Sequence, residues 1–267
     1  MPNIESALLD LGGLDVLARR PTPIQRLDPR AKVLVALAFI VTVVSFGKYE
    51  VAGLLPLVAY PVALVIVGDL PAGYLLGKLL VASPFALLIG MFNPLLDQSI
   101  LMEVGPARVS GGWISFASIM LRFGLTVSAA LILIATTGFY PVCLALRRLH
   151  VPRVLTVQFM LLYRYVFVLG EEAARMARAW SLRAVNARGM PPSVFGSLVG
   201  QLLLRALDRA QRLHMAMLAR GFDGEIRQAG ALRFTGADAV FALGWTAFFI
   251  VARCYNLPHL MGGAVMP

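Results

Sequence analysis

The sequence predicts an all-α polytopic membrane protein with about five transmembrane helices, within a range of four to six, and long amphipathic helices in the cytoplasm. Hydrophobic residues make up 59% of the 267 residues and charged residues only 14%, and the mean hydropathy is +0.78. Soluble domains contain about 45–50% apolar residues. The apolar residues also cluster in long runs, and the basic residues are distributed unevenly between those runs.

The apolar runs define the expected membrane spans. There are five: Val33–Gly47, Val51–Gly68, Leu75–Leu96, Trp113–Phe139 and Ala237–Val251. A helix needs about 20 apolar residues to cross a bilayer. The first run is shorter, so its helix must include flanking residues or the bilayer must become thinner around it. A sixth run, Val154–Gly170, contains Gln158 and Arg164. We expect it to form a helix that starts in the membrane or packs on it.

The basic residues predict the orientation. Five Lys and Arg precede the first run and fourteen lie between Phe139 and Gly236, whereas the predicted outer loops hold only Lys48 and Arg108. Cytoplasmic loops carry the excess of Lys and Arg. We therefore expect a cytoplasmic segment 1–32, a four-helix membrane region 33–139, a cytoplasmic region 140–236, a final transmembrane helix 237–254 and an outer tail 255–267. The expected location is the bacterial inner membrane.

Several other classes are not supported. The formal charge of +10 accompanies apolar spans and no aromatic-basic motif, so we expect no nucleic acid as a partner. Cys143 and Cys254 are too far apart to indicate a disulfide framework or a cysteine zinc site. The first twenty residues carry three acidic residues and lack a basic start, so we expect no cleaved signal peptide.

The arginine-rich region predicts two long amphipathic helices, at about Val154–Arg188 and Val194–Leu218. In the second helix, a polar stripe contains Gln201, Arg205, Asp208, Arg209 and Arg212. The apolar side contains Val199, Leu202, Leu203, Ala206, Ala210, Leu213 and Met217, as expected of an amphipathic helix. Gly196 and Gly200 have the spacing that lets two helices cross closely.

The triplet Ala-Arg-Gly occurs twice, and each copy is expected at the end of a long helix. The copies are Ala187-Arg188-Gly189 and Ala219-Arg220-Gly221. A single Arg-Gly is ordinary chemistry for a helix C-terminus. Two copies favour recognition, because a guanidinium is permanently charged and can form forked hydrogen bonds with carboxylates. Two tips 32 residues apart suit a partner with two equivalent acidic grooves.

Six stretches of the sequence resemble the transmembrane coupling component of energy-coupling factor importers, and most closely its cobalt-type branch, the CbiQ family. The matching stretches are RLDPRAK (Arg26–Lys32), FNPLLD (Phe92–Asp97), LRFGLTVSAALILIATT (Leu121–Thr137), LRRLHVPR (Leu146–Arg153), LLYRYVFVLGEEAARM (Leu161–Met176) and AMLARGFDGEI (Ala216–Ile226). The last stretch is the most specific. RLDPRAK and FNPLLD imply membership of the family but no role for any residue.

The resemblance implies a subunit that transmits motion. Two ATP-binding-cassette ATPases, CbiO-like, dock on coupling helices that carry the two Ala-Arg-Gly motifs, so Arg188 and Arg220 would be docking arginines. A separate substrate-binding membrane subunit, CbiM-like and with or without a small CbiN-like subunit, moves the substrate. The lipid bilayer is the remaining partner. Cobalt or nickel is the implied cargo.

We expect no catalysis, cofactor or metal site in this chain. Residues Gly73–Leu79 are one residue short of a phosphate-binding loop and lack its Ser or Thr. The three histidines are dispersed, and His214 with its neighbouring methionines fits helix packing better than metal binding. Arg122, within the fourth span, fits a structural role inside the bundle or against backbone carbonyls.

Two other function classes are weighed. The first alternative is the permease of a conventional ABC importer, because Glu172-Ala173-Ala174 is similar to the start of its coupling loop. Arg178 stands where that loop requires glycine, so the similarity is weak. The second is a polytopic membrane enzyme, for which no paired carboxylates, histidine cluster or nucleophile-base pattern is present near the membrane face.

Overall fold

The computed structural model describes residues 12–20, 22–48, 50–96, 100–104, 107–184, 190–224, 226 and 234–254. Most of these residues are helical, as predicted. The helices are α1 (Pro29–Val44), α2 (Val51–Leu54), α3 (Ala59–Val67), α4 (Ala72–Gly90), α5 (Asn93–Leu96), α6 (Gly111–Thr137), α7 (Phe139–Arg148), α8 (Arg153–Arg183), α9 (Pro192–Ala219) and α10 (Gly236–Cys254).

A small hairpin interrupts the helices. Strands β1 (Ile100–Val104) and β2 (Ala107–Ser110) pair antiparallel between α5 and α6. The sequence analysis did not predict the hairpin, which lies in an expected outer loop. A two-stranded hairpin is marginally stable alone and leaves a weak sequence signal.

In the part of the chain that the structure describes, four helices are long and apolar enough to cross a membrane: α4, α6, α8 and α10. Three of them coincide with the third, fourth and fifth expected spans. The other, α8, covers the run that we expected to pack on the membrane or start in it. The first two runs form shorter helices. The first run forms α1, which has only 16 residues. The second run is divided at Pro56, where a 3-10 turn separates α2 from α3.

The chain forms two compact units. The arginine-rich unit contains the N-terminal residues up to Asp15 and Phe139–Ala231, and the apolar unit contains Val16–Gly138 and Leu232–Pro267. In the apolar unit, α1 packs against both α6 and α10. The ring of Phe39 of α1 is tilted against the rings of Tyr60 and Phe249, at centroid distances of 4.5 Å and 5.3 Å, and both phenylalanines are buried. This aromatic cluster places α1 at the centre of the unit.

Two arginines bind the end of α1. Arg122 of α6 donates a hydrogen bond to the Gly47 carbonyl. Arg253 of α10 donates to the Ser45 side chain at 3.1 Å and to the Ser45 carbonyl at 3.3 Å. The last carbonyls of a helix lack partners within the helix, and arginine can satisfy them. The expected pairing of Arg122 with backbone carbonyls is confirmed.

The arginine-rich unit is built on α8. The α7 helix packs on it, with Cys143, Leu144 and Ala145 buried. At the start of α7, the Asp15 carboxylate accepts hydrogen bonds from the Phe139 N–H at 2.9 Å and from the Tyr163 hydroxyl. The carboxylate therefore stabilises an otherwise unpaired N–H in the first turn of α7.

Candidate docking surface

The Arg220 tip ends α9 in a defined turn. Gly221 has a φ of 76°, and its N–H donates to the Leu218 carbonyl at 2.9 Å. The Phe222 N–H donates to the Met217 carbonyl at 3.0 Å. This pair of bonds is a Schellman motif, which requires a left-handed residue directly after the helix. Glycine adopts that conformation without steric cost, so the predicted stop at Gly221 is confirmed.

The turn leaves Arg220 on the surface of the chain. Ala219, Arg220 and Gly221 are all exposed. No ion pair of Arg220 is found with any other residue that the structure describes. A Cβ on Gly221 would meet no atom within 4 Å, so this position is constrained by its backbone conformation and not by packing. An arginine held in this way is free to form a contact with another protein.

The helix that was expected to carry the first tip is shorter than predicted. Ala187, Arg188 and Gly189 lie outside the described residues. The α8 helix ends at Arg183, and its C-cap Ala184 has φ −102° and ψ 62°. The prediction that this helix continues to Arg188 was therefore wrong. Helix propensity falls directly after this cap, at Val185 and Asn186.

A buried carboxylate joins the two long helices. Glu172 of α8 is 7% exposed. Its two oxygens form ion pairs with Arg205 at 3.0 Å and with Arg209 at 3.3 Å, both from α9. The Arg205 contact is also a hydrogen bond, and a hydrogen bond between charged groups is stronger than one between neutral groups. We call this group the Glu172 clamp.

Away from the clamp, α9 is loosely packed. None of its residues, all of which are described, is fully buried. Leu202, Leu213 and Met217 are half-buried, as expected of the apolar side, whereas Val199 and Leu203 are 48% and 59% exposed. The predicted close crossing at Gly196 and Gly200 was wrong, because a Cβ at either position would meet nothing within 4 Å. The clamp is therefore a polar contact that fixes α9 on α8.

An open apolar cavity of about 580 Å³ separates α8 from α9 between the clamp and the Arg220 tip. Its lining includes Val157, Tyr165, Ala206, Leu213 and Met217. The cavity shows that the two helices are not packed tightly in this part, so the end of α9 that carries Arg220 is supported on few contacts.

Groups that could hold a metal are not assembled in the part of the chain that the structure describes. His214 lines the cavity beside apolar residues. Cys143 is buried, and burial raises the pKa of its thiol to about 11, so the thiol stays protonated at neutral pH.

The profile of the CbiQ family, described as cobalt transport protein, matches residues 21–230. The chain belongs to the CbiQ family. Its four long apolar helices and its membership of a transport-protein family identify a multi-pass membrane protein.

Individual relatives resemble this CbiQ-family chain over different lengths. The cobalt transport protein CbiQ of Rhodobacter capsulatus is 34% identical over 134 residues, 48% of this chain and 54% of that protein. The nickel permease LarQ of Lactiplantibacillus plantarum is 31% identical over 140 residues, 49% and 51% respectively. The energy-coupling factor transporter transmembrane protein EcfT of Bacillus subtilis is 26% identical over 219 residues, 75% and 81% respectively. The chain therefore spans about half the length of the first two relatives.

The clamp of this CbiQ-family chain was not predicted from the sequence, in which Glu172 was noted only as part of a weak loop motif. The available signal was positional: Glu172 falls three residues after Leu169 and four before Met176, on the apolar side of an amphipathic helix. A carboxylate in that position needs a cationic partner, because an unpaired buried charge is costly.

Proposed function

We propose that the chain is the energy-coupling transmembrane subunit of an energy-coupling factor importer for cobalt or nickel. The chain itself is non-catalytic. Two ABC ATPase subunits hydrolyse ATP, and a separate substrate-binding membrane subunit moves the metal ion. The observation that carries the proposal is the exposed Arg220 in the defined turn that ends α9, within the segment that matches the CbiQ family.

The chemistry of the tip supports this role. A guanidinium on a defined turn can enter an acidic groove with little loss of conformational freedom, since the helix end already holds its backbone. Arg188 supplies the second docking arginine in this proposal. The relatives named for cobalt and for nickel support a transition-metal cargo.

The triplet that suggested a permease is not part of a loop. Glu172-Ala173-Ala174 lies inside α8, where Glu172 and Ala174 are buried and Glu172 pairs with α9. A coupling loop needs an exposed segment that can enter a partner. The triplet therefore serves the contact between α8 and α9.

The proposal predicts which proteins co-purify with the chain. Mild-detergent purification is expected to recover two ABC ATPase subunits and a small substrate-binding membrane protein, identified by mass spectrometry. The isolated chain is expected to bind no ATP by calorimetry, because it lacks a phosphate-binding loop. The complex in proteoliposomes should hydrolyse ATP and take up radioactive cobalt or nickel. Nucleotide binding by the isolated chain, or co-purification of a soluble binding protein in place of the membrane subunit, would contradict the proposal.

The distribution of basic residues also predicts the topology. In intact cells, a membrane-impermeant maleimide is expected to label Cys254, which is exposed at the end of α10. The variant Gln211→Cys on α9, made in a Cys254→Ser background, should be labelled only after permeabilisation. The excess of Lys and Arg supports a cytoplasmic α9 and an outer end of α10. Labelling of both sites from the same side would show that the number of spans is miscounted.

A further inference from the structure

The segment Arg26–Lys32 plays no part in the docking surface, yet the structure gives Asp28 and Lys32 definite partners. Asp28 is the N-cap of α1, and its Oδ1 accepts a hydrogen bond from the Arg30 N–H at 2.8 Å. Pro29 is the first residue of the helix, where a missing N–H has no cost. Asp28 is only 4% exposed, so this cap lies inside the apolar unit.

Asp238 joins the starts of two helices. Its Oδ2 accepts hydrogen bonds from the N–H and the hydroxyl of Thr235, both at 2.7 Å, at the start of α10. Its Oδ1 accepts the Asp28 N–H at 2.7 Å, at the start of α1. The positive ends of two helix dipoles therefore face one carboxylate, which is 1% exposed.

Lys32 extends the same group to a third helix. Its Nζ donates at 3.1 Å to the carbonyl of Thr136, in the last turn of α6. A cation is favoured at a helix C-terminus. Both Asp28 and Asp238 interact electrostatically with Lys32. Lys32 is 4% exposed and Thr136 is 3% exposed, so the whole group is shielded from water.

Net stability does not account for such a group. Removing charges from water is expensive, and a buried ionic group is often no more stabilising than apolar side chains of the same volume. Directional bonds from one carboxylate and one ammonium, however, hold three helix ends in one arrangement. From the end of α6 the chain continues through Gly138 into α7, which belongs to the arginine-rich unit.

We propose that Asp28, Lys32 and Asp238 form a buried junction that positions the end of α6 for energy coupling. The proposal rests on the proposed function, because a positioned helix end passes ATPase-driven movement into the apolar unit. It gives the RLDPRAK segment a role: Asp28 and Lys32 are positioning residues, and Asp238 is the acceptor of the Asp28 N–H from 210 residues later in sequence.

The first test is a stability cycle on the purified complex. Lys32→Met and Asp238→Asn are each expected to lower the midpoint of thermal unfolding, because each leaves buried charge unpaired. The double variant should recover most of the loss. The control is Glu50→Gln, which removes a carboxylate that accepts the Gly47 N–H at 3.2 Å near the other end of α1. Additive losses in the double variant would overturn the junction.

The second test measures uptake per ATP hydrolysed in proteoliposomes. The double variant is expected to keep its ATPases but to lose roughly two- to thirtyfold in metal-ion uptake per ATP, the range typical of coupling residues. Glu50→Gln should keep the wild-type ratio. A stable double variant with a normal ratio would overturn the positioning role. If the double variant does not assemble, Thr235→Val is compared, and an unchanged ratio there has the same meaning.

These results are separable from the proposed function. Absence of ATPases from the wild-type complex would refute the coupling function itself. The stability cycle between Lys32 and Asp238 would still decide whether the junction exists.

Discussion

The double substitution Arg188→Ala and Arg220→Ala is expected to abolish both ATPase co-purification and metal-ion uptake. Each single substitution should weaken both, because one tip partly covers for the other. Removing a guanidinium from a desolvated contact leaves the acidic partner groups unpaired, a loss of about 2–5 kcal/mol. The measurements are the amount of ATPase recovered with the tagged chain and the uptake of radioactive cobalt or nickel.

The control for this experiment is Arg212→Ala, which removes an exposed arginine two turns earlier on α9. It should keep ATPase and uptake near wild type. Lysine at Arg188 and Arg220 should restore little, since it keeps the charge but not the planar fork. If the two arginines serve only the helix ends, alanine costs at most about 1 kcal/mol each and the ATPases stay bound. Normal transport by the double variant would refute docking.

Local signals in the sequence predict the end of α9 well. Gly221 follows a long amphipathic segment, and a helix C-terminus favours glycine because the next residue takes a left-handed conformation. The structure has that turn, with φ 76°. The same reasoning placed the other helix end at Gly189, but α8 ends at Arg183. Glycine marks where a helix must stop and does not prevent an earlier end.

The sequence pattern does not identify which distant residues are in contact. The intramembrane position of Arg122 predicts a partner inside the bundle or among backbone carbonyls, and the Gly47 carbonyl is that partner, 75 residues earlier. No spacing rule identifies which carbonyl it is. The hydrogen bonds from the Asp28 N–H to Asp238 and from Lys32 to the Thr136 carbonyl likewise depend on how α1, α6 and α10 pack. Sequence periodicity assigns faces to helices, but the choice of neighbour comes from packing.

The Glu172 clamp is another contact between helices whose partners are chosen by packing. The Glu172 side chain is 10% exposed, whereas Arg205 and Arg209 are 56% and 35% exposed. The two sides of the clamp are therefore unequal. An arginine that loses Glu172 can turn towards water, but a carboxylate that loses both arginines stays covered by the two helices.

Arg205→Met combined with Arg209→Met is accordingly expected to destabilise the chain more than Glu172→Gln does. Methionine keeps the carboxylate covered, so the double variant leaves a shielded charge unpaired and should cost about 1–3 kcal/mol. Because both arginines border solvent, the full penalty of a deeply buried pair does not apply. Glu172→Gln should cost less than about 1 kcal/mol, since the amide oxygen still accepts from an arginine. Thermal unfolding of the purified chain in detergent measures the order of the variants.

Two further variants make the comparison decisive. Adding Glu172→Met to the arginine pair removes the unpaired charge and should recover most of the lost stability. Glu171→Ala is the matched control, because Glu171 pairs with Arg175 at 3.7 Å while both side chains stay more than half exposed. Such a surface pair contributes about 0.3–0.5 kcal/mol. If the triple variant is no more stable than the arginine double variant, an unpaired Glu172 is not the cause of the loss, and α9 is held on α8 by the stems of the two arginines instead of their charge.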